Sequence, residues 1–459
     1  MADINRATAK DLKAVCVFQA GEVGSFQTGP VMNDGIAYVT TTHGTYAFDA
    51  TTCEQVWNHQ YVPTGPEVTN NSKGAAIAGG RVIRGTQDGH LLALDAKTGV
   101  PLWDRQIMDS TAGEFVTAAP IVWNDLVFIG KAGGDWGIVG EMMAFRVSDG
   151  TKAWGFTMIP TGDHPGAESW QNHATAKMGG GATWTSYSLD PEIGMLFVPV
   201  GNPGPDFNRA MRPGDNLYTN SVVALDGRTG SLKWWRQLVP NDYHDWDTST
   251  LSLFVAADGR KLVAAVGKDG NLHVLDRGTG SPVFQIAVTA QLNTDAPFTT
   301  EGTRYCPGTV GGVEWNGPAY SPATGQLYVN AVDWCVTSIL GPDPVYVPGE
   351  VYTGLKNGFG TYDPVDKASG WTNGVDVASG AMAWRYHSPT PMSAAVTPTA
   401  GEVVFTGDLD GYFLVLDGRT GDVLYRFNIG GAIGGGVITY EVGGQQYVAV
   451  ASGNSSRTT

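Results

Sequence analysis

The chain has 459 residues, of which 63 are glycine, 42% are hydrophobic and only 16% are charged, and its net charge is −16. An acidic chain with no basic run is a poor ligand for nucleic acid or an anionic membrane surface, which excludes both as partners. No apolar run approaches the ~20 residues that span a bilayer, and the polar start Met-Ala-Asp-Ile-Asn-Arg has no apolar signal core. The glycines are spread as turn punctuation, and the apolar content is enough for a sizeable core. Cys16, Cys53, Cys306 and Cys335 fall in no zinc or haem spacing. An even, sparse set predicts two disulfides, Cys16–Cys53 and Cys306–Cys335, and an oxidising compartment; four buried thiols are the alternative. Export would mean that the signal peptide is not part of this chain.

In chain order, one unit recurs. It reads Ala-x-Asp-x-x-Thr-Gly-x-x-x-Trp, most clearly from Ala93 to Trp103. The first copy, Ala47 to Trp57, has Cys53 in the glycine position. Ala144 to Trp154 has Arg146 in the aspartate position, and Ala224 to Trp234 is close to the pattern. Val274 to Phe284, Gly374 to Trp384 and Val415 to Tyr425 keep the aspartate and the glycine. In each unit a strand ends at the aspartate, Asx and Thr side chains with glycine close a hairpin, and the next strand carries an aromatic able to pack on a neighbouring sheet. Most copies are spaced as four-stranded propeller blades are. The wider gaps, Arg146 to Asp226 and Asp276 to Asp376, leave room for a degenerate blade or for long loops. No segment has sustained helical periodicity. The expectation is an all-β protein: one β-propeller domain over residues 1–459, of seven or eight blades, with the first blade short of a strand.

The stretched regions carry the chemistry-bearing residues: Gly133-Gly134-Asp135-Trp136-Gly137, Gly179 to Trp184, Gly201-Asn202-Pro203, Asn241 to Asp247, and Gly267-Lys268-Asp269-Gly270. Carboxylates with an amide oxygen suit a hard cation such as calcium. A tryptophan face suits a flat aromatic ligand, and a carboxylate held at the metal can act as general base. The competing reading is structural, because aspartate and glycine are ordinary turn residues and tryptophan docks blades.

The order and context of these segments resemble the pyrroloquinoline quinone (PQQ)-dependent alcohol dehydrogenases of the methanol/ethanol type, from Ile4 to the end and most strongly between Thr117 and Asp276. The resemblance implies an eight-bladed propeller with PQQ and a metal ion, calcium or a lanthanide, in its channel. It implies oxidation of an alcohol or related hydroxyl compound, electrons passing to a cytochrome c, and a periplasmic protein; no haem domain is present in the sequence. Trp184 matches the tryptophan under the PQQ ring, and Asn202 the amide metal ligand. Asp135 stands where a glutamate ligand is usual, one methylene shorter. Lys73 matches an arginine that pairs with a cofactor carboxylate, Thr117 a hydroxyl bonding the cofactor, and Lys268 the basic residue near the quinone oxygens. Glu314, before Trp315, stands where an asparagine would contact the cofactor. A count without gaps from Lys233-Trp234 makes Asp245 the catalytic base and Asp247 the additional carboxylate of lanthanide-using relatives; a one-residue shift makes Asp247 the base.

The resemblance is incomplete. The family's adjacent cysteine pair would fall near Glu67-Val68 and a further tryptophan near Met392, and both are absent. The chain starts after the family's first strand and stops soon after Gly453-Asn454, so blade closure is expected to be incomplete and the piece to come from a longer protein. A non-catalytic propeller scaffold of the outer-membrane assembly type, or a degenerate dehydrogenase fragment, is the alternative.

Overall fold

The computed structural model describes residues 1–453; residues 454–459, Asn454 among them, lie outside it. Strands dominate, and the helices among the described residues are single 3-10 turns, as the lack of helical periodicity requires. Seven antiparallel sheets have four strands each, taken in chain order. The first comprises Val31–Asn33, Ile36–Thr40, Gly44–Asp49 and Gln55–Gln60. The others cover 76–106, 121–157, 188–237, 248–287, 319–388 and 397–428. A two-stranded hairpin, Val437–Val442 with Gln445–Val450, follows them. The short sheet is thus the last and not the first. The expectation of an incomplete first blade is corrected: residues 31–33, upstream of the first repeat unit, supply its opening strand.

The repeat unit has one register throughout. Its first residue faces its aromatic across the hairpin: Ala47 opposite Trp57, Ala93 opposite Trp103, Ala144 opposite Trp154, Ala224 opposite Trp234. Val274 with Phe284, Gly374 with Trp384 and Val415 with Tyr425 complete the series. A bulge follows each pair at once, which adds twist where the hairpin closes. Small residues opposite large rings leave the ring free to reach the next sheet. The indole N–H of Trp57, Trp103, Trp154 and Trp384 donates to a backbone carbonyl there, at Ala96, Val147, Gly227 and Gly418. The ring lies on that sheet's turn glycine. At Gly99, with φ +72°, a Cβ would stand 2.5 Å from Trp57, so only glycine fits.

From the last hairpin to the first sheet the contact is made differently. The Tyr440 hydroxyl donates to the Ala50 carbonyl at 2.6 Å, the counterpart of Ala96. In the glycine's place stands Cys53, at φ +60°, in a disulfide with Cys16. Cys306 and Cys335 form the second expected disulfide.

The wide gaps are long loops and not a degenerate blade. Residues 158–187 and 200–220 fill the first, and the second holds an inserted three-stranded sheet, Thr303–Tyr305, Val336–Ser338 and Thr361–Tyr362. The first strands of successive sheets touch one another, which places them around a common axis, and the fourth strands face outward. The repeat turns therefore lie at one end of the strands. The loops joining fourth strand to next first strand, and second strand to third, lie at the other.

Candidate active site

Those second loops enclose a cavity of about 370 Å³. Of the ten residues singled out from the sequence, nine line it: Lys73, Thr117, Asp135, Trp184, Asn202, Asp247, Lys268, Glu314 and Trp315. The tenth, Asp245, is buried just behind them and is held by Lys268.

Trp184 is fixed from below by a relay of backbone bonds. The Lys73 amide donates to the Thr117 carbonyl at 3.0 Å, and the Thr117 hydroxyl donates to the Trp184 carbonyl at 2.6 Å. The Lys73 ammonium stands 4.7 Å from the centre of the Trp184 ring and 5.7 Å from that of Trp315, and Lys268 stands 5.6 Å from Trp184. Trp315 is itself anchored by its N–H to the Gly434 carbonyl at 2.6 Å. The Lys73 ammonium is buried without a hydrogen-bond acceptor. Burial pushes its pKa down to about 7; Glu314 opposes that and Lys268 adds to it. An anionic group entering the cavity would supply the missing acceptor.

The acidic side of the cavity is built on one strained loop. Asp242 accepts the amides of His244 at 3.0 Å and Trp246 at 2.8 Å, which forces the intervening Asp245 into the left-handed region at φ +63°. Lys268 then bridges the two acids, 3.0 Å from Asp245 and 2.8 Å from Asp247. The other oxygen of Asp247 accepts the Asn202 amide at 2.8 Å. Burial alone would lower Lys268; attraction from Asp245, Asp247, Glu314 and Asp135 outweighs it and holds the ammonium well above its ordinary pKa. Burial raises Asp245, Lys268 opposes, and Asp135 and Asp247 raise it further.

Among the described residues no three His, Cys, Asp or Glu side chains form a ready-made metal-binding group. The donor chemistry nevertheless fits an oxygen-seeking cation. Asp135, Asp206, Asp245, Asp247 and Glu314 stand against Lys73, Lys268 and Arg212, so acids outnumber bases. Both carboxylate oxygens of Asp206 and the side-chain N–H₂ of Asn202 are buried without hydrogen-bond partners. Orphaned buried oxygens beside an excess of negative charge are what a multivalent cation relieves.

Sequence reasoning gave no role to Asp206, nor an individual one to Arg212 and Asp242, which lie in the informative segments Met211 to Asn216 and Asn241 to Asp247. Asp242 had a signal, because an aspartate two residues before His244 reads as an Asx turn. Asp206, inside Gly-Pro-Asp-Phe, reads as a loop residue and gave none. Glu67, where a cysteine would fall, lies outside the cavity and pairs with His43 at 2.9 Å, while Thr69, Asn70 and Asn71 reach the cavity wall. Met392 is buried in the core between sheets and does not reach the cavity.

A propeller whose loops enclose a tryptophan floor, two lysines and an excess of carboxylates defines a quinoprotein-type dehydrogenase. Residues 1–296 match the family model for the glucose/ethanol/alcohol dehydrogenase β-propeller domain, and the chain belongs to this PQQ-dependent family. It is 32% identical to the quinoprotein ethanol dehydrogenase of Pseudomonas putida, over 92% of this chain and 78% of that protein. It is 31% identical to the quinoprotein alcohol dehydrogenase PedH of Pseudomonas putida, over 98% of this chain and 83% of the relative. The fold superimposes on a europium-containing methanol dehydrogenase with a TM-score of 0.88 at 27% identity, covering 98% of this chain and 86% of the other.

Proposed function

We propose that this quinoprotein oxidises an alcohol in the cavity, with PQQ stacked on Trp184 and a calcium or lanthanide ion held by Asp135, Asn202, Asp245 and Asp247. The observation that carries the reading is the convergence of Asp135, Trp184, Asn202 and Asp247, from four different sheet-connecting loops, on one cavity, with Asp245 directly behind. Bound PQQ with its metal supplies a two-electron acceptor and a Lewis acid. The chain does the rest. Lys73 pairs with a carboxylate of the cofactor, and Thr117, Glu314 and Trp315 complete its seat. Asp245 takes the proton of the substrate hydroxyl. Its strained backbone and its bond to Lys268 fix the direction of the carboxylate, and general-base help of this kind is worth about 10²- to 10⁴-fold. Lys268 keeps a full positive charge where negative charge develops. Asp247 supplies the extra anionic oxygen that favours a trivalent ion.

An eight-bladed ring is the arrangement we favour, with the 437–450 hairpin as the inner part of the eighth blade. The bond from Tyr440 to Ala50, the carbonyl whose counterpart Ala96 accepts from Trp57, supports it. The whole span then forms one propeller domain. The two disulfides support an oxidising, periplasmic location, and a cytochrome c is the acceptor to which the reduced cofactor would pass electrons.

The test is reconstitution of the purified chain with PQQ plus calcium or lanthanum, followed by dye reduction with a panel of alcohols. Cofactor absorbance and alcohol-dependent dye reduction are expected. A folded sample with neither would overturn the proposal.

A further inference from the structure

Asp206 is not among the ligands proposed above, yet its orphaned carboxylate stands beside them. It has no exposed surface, and neither of its carboxylate oxygens finds a hydrogen-bond donor. Arg212 lies next to it but does not serve the carboxylate. The guanidinium spends its donors on the Pro205 carbonyl at 2.9 Å, on Asn216 at 3.0 Å, on the backbone carbonyl of Asp206 at 2.7 Å, and on the Asp242 carbonyl. Arg212 is therefore a clamp on two main chains: it ties the Asp206 segment to the loop that carries Asp245 and Asp247.

A second tie comes from the other side. Residues Tyr352 and Thr353 are consecutive, and their backbone reaches both neighbours. The Tyr352 amide donates to the Asp135 carbonyl at 2.6 Å, and the Phe207 amide donates to the Thr353 carbonyl at 2.9 Å. Asp206 is thus fixed between Asp135 on one flank and the Asp245–Asp247 loop on the other, four residues after Asn202. The charges acting on its carboxylate agree: Asp135, Asp245 and Asp247 repel it, and Arg212 attracts it. A buried carboxyl without a donor, set among three others, must take up a proton or a cation.

We infer that Asp206 is a further carboxylate of the metal site, directed at the same cation as Asp135, Asn202 and Asp247, and that it biases the site toward trivalent over divalent ions. This rests on the metal site proposed above. Higher ligand charge raises affinity most for the more highly charged ion.

The test uses terbium(III) alone as the probe, with and without PQQ, on the purified chain and on Asp206→Asn. Binding is read by tryptophan-sensitised terbium emission and calcium binding by competition. The variant is expected to bind terbium about tenfold or more weakly and calcium with a smaller loss. Without metal it is expected to melt no lower than the parent, because neither carboxylate oxygen has a hydrogen bond to lose, and its gain in melting temperature on adding terbium should shrink. Terbium affinity equal to the parent's, or a lower metal-free melting point with an unchanged terbium-induced gain, would overturn the inference and leave the proposed function standing. A parent chain that binds no terbium under either condition would remove the metal site itself, and this inference with it. Asp206→Ser provides the same readouts should the asparagine variant not fold.

Discussion

The two ends of the strands use the same residue type to opposite effect. At the turn end, Asp49, Asp95 and Asp376 are half-buried and accept hydrogen bonds from the residues that follow them, as when the Thr98 amide and hydroxyl both donate to Asp95 at 2.9 Å. Their carboxyls are held below the ordinary range by those bonds, Asp49 at about 2 chiefly through the Thr51 hydroxyl. At the cavity end, Asp206 and Asp245 are buried among other acids and are pushed up, by burial first. One set of aspartates is locally satisfied and shapes the backbone. The other has only a lysine distant in sequence as partner, at Asp245, or no donor at all, at Asp206, and so keeps its capacity for a ligand. Composition cannot separate the two; only the source of their hydrogen bonds can.

That contrast breaks first at Asp245. Asp245→Asn is expected to lower kcat by about 10²- to 10⁴-fold with little loss of folded protein, measured by steady-state dye reduction. Asp247→Asn should lose lanthanide-supported turnover and keep more of the calcium-supported rate. If Asp247→Asn showed the larger loss with both ions, the two roles would be exchanged. On the scaffold side, Trp103→Ala should cost about 3–5 kcal/mol of stability in chemical denaturation, through the lost ring and its bond to Val147, and leave kcat/KM of the folded fraction unchanged.

Lys73 gives a smaller effect with a pH signature. With its pKa lowered to about 7, the free site loses its positive charge as pH rises above that value, whereas an anionic partner favours the charged form. PQQ affinity is therefore expected to be level below pH ~7 and to fall by roughly tenfold per unit above it, until the pKa of the bound lysine is reached. Glu314 and Lys268 face the same ammonium, and Lys268 stays charged across this window. Titration calorimetry on Lys73→Met should show an affinity about ten- to a hundredfold lower at pH 6 and no such slope. Least affected should be Thr98→Ala, which removes one exposed turn bond: a slightly lower melting temperature and an unchanged kcat/KM.

The scaffold was readable because it is local. A unit that sets one residue opposite an aromatic, most often alanine opposite tryptophan, carries its register in one short stretch, and all seven copies keep that register. The cavity residues were readable in so far as motifs such as Gly-Asn-Pro and His-Asp-Trp-Asp keep their order. Which sheet would be short was not readable, since the strand at Val31–Asn33 precedes any repeat signal. Asp206 was hidden for a different reason. What makes it unusual is the absence of donors around it, and that absence is set by Arg212 and by residues 352–353, which are distant or uninformative in sequence.

The contact between Tyr440 and Ala50 sets the order in which the molecule comes apart. The junctions between four-stranded sheets have four strands on each side, whereas the first sheet here meets a two-stranded hairpin, through the Tyr440 hydroxyl and through the Gly436 amide, which donates to the Thr28 carbonyl at 2.9 Å. The amides of 437–450 should then exchange with deuterium before those of any other sheet, and opening should begin at this seam. The Cys16–Cys53 bond lies on the first sheet beside that seam, so reduction should hasten opening there before it affects the cavity loops. Unfolding is in that sense expected to be directional, beginning at this seam.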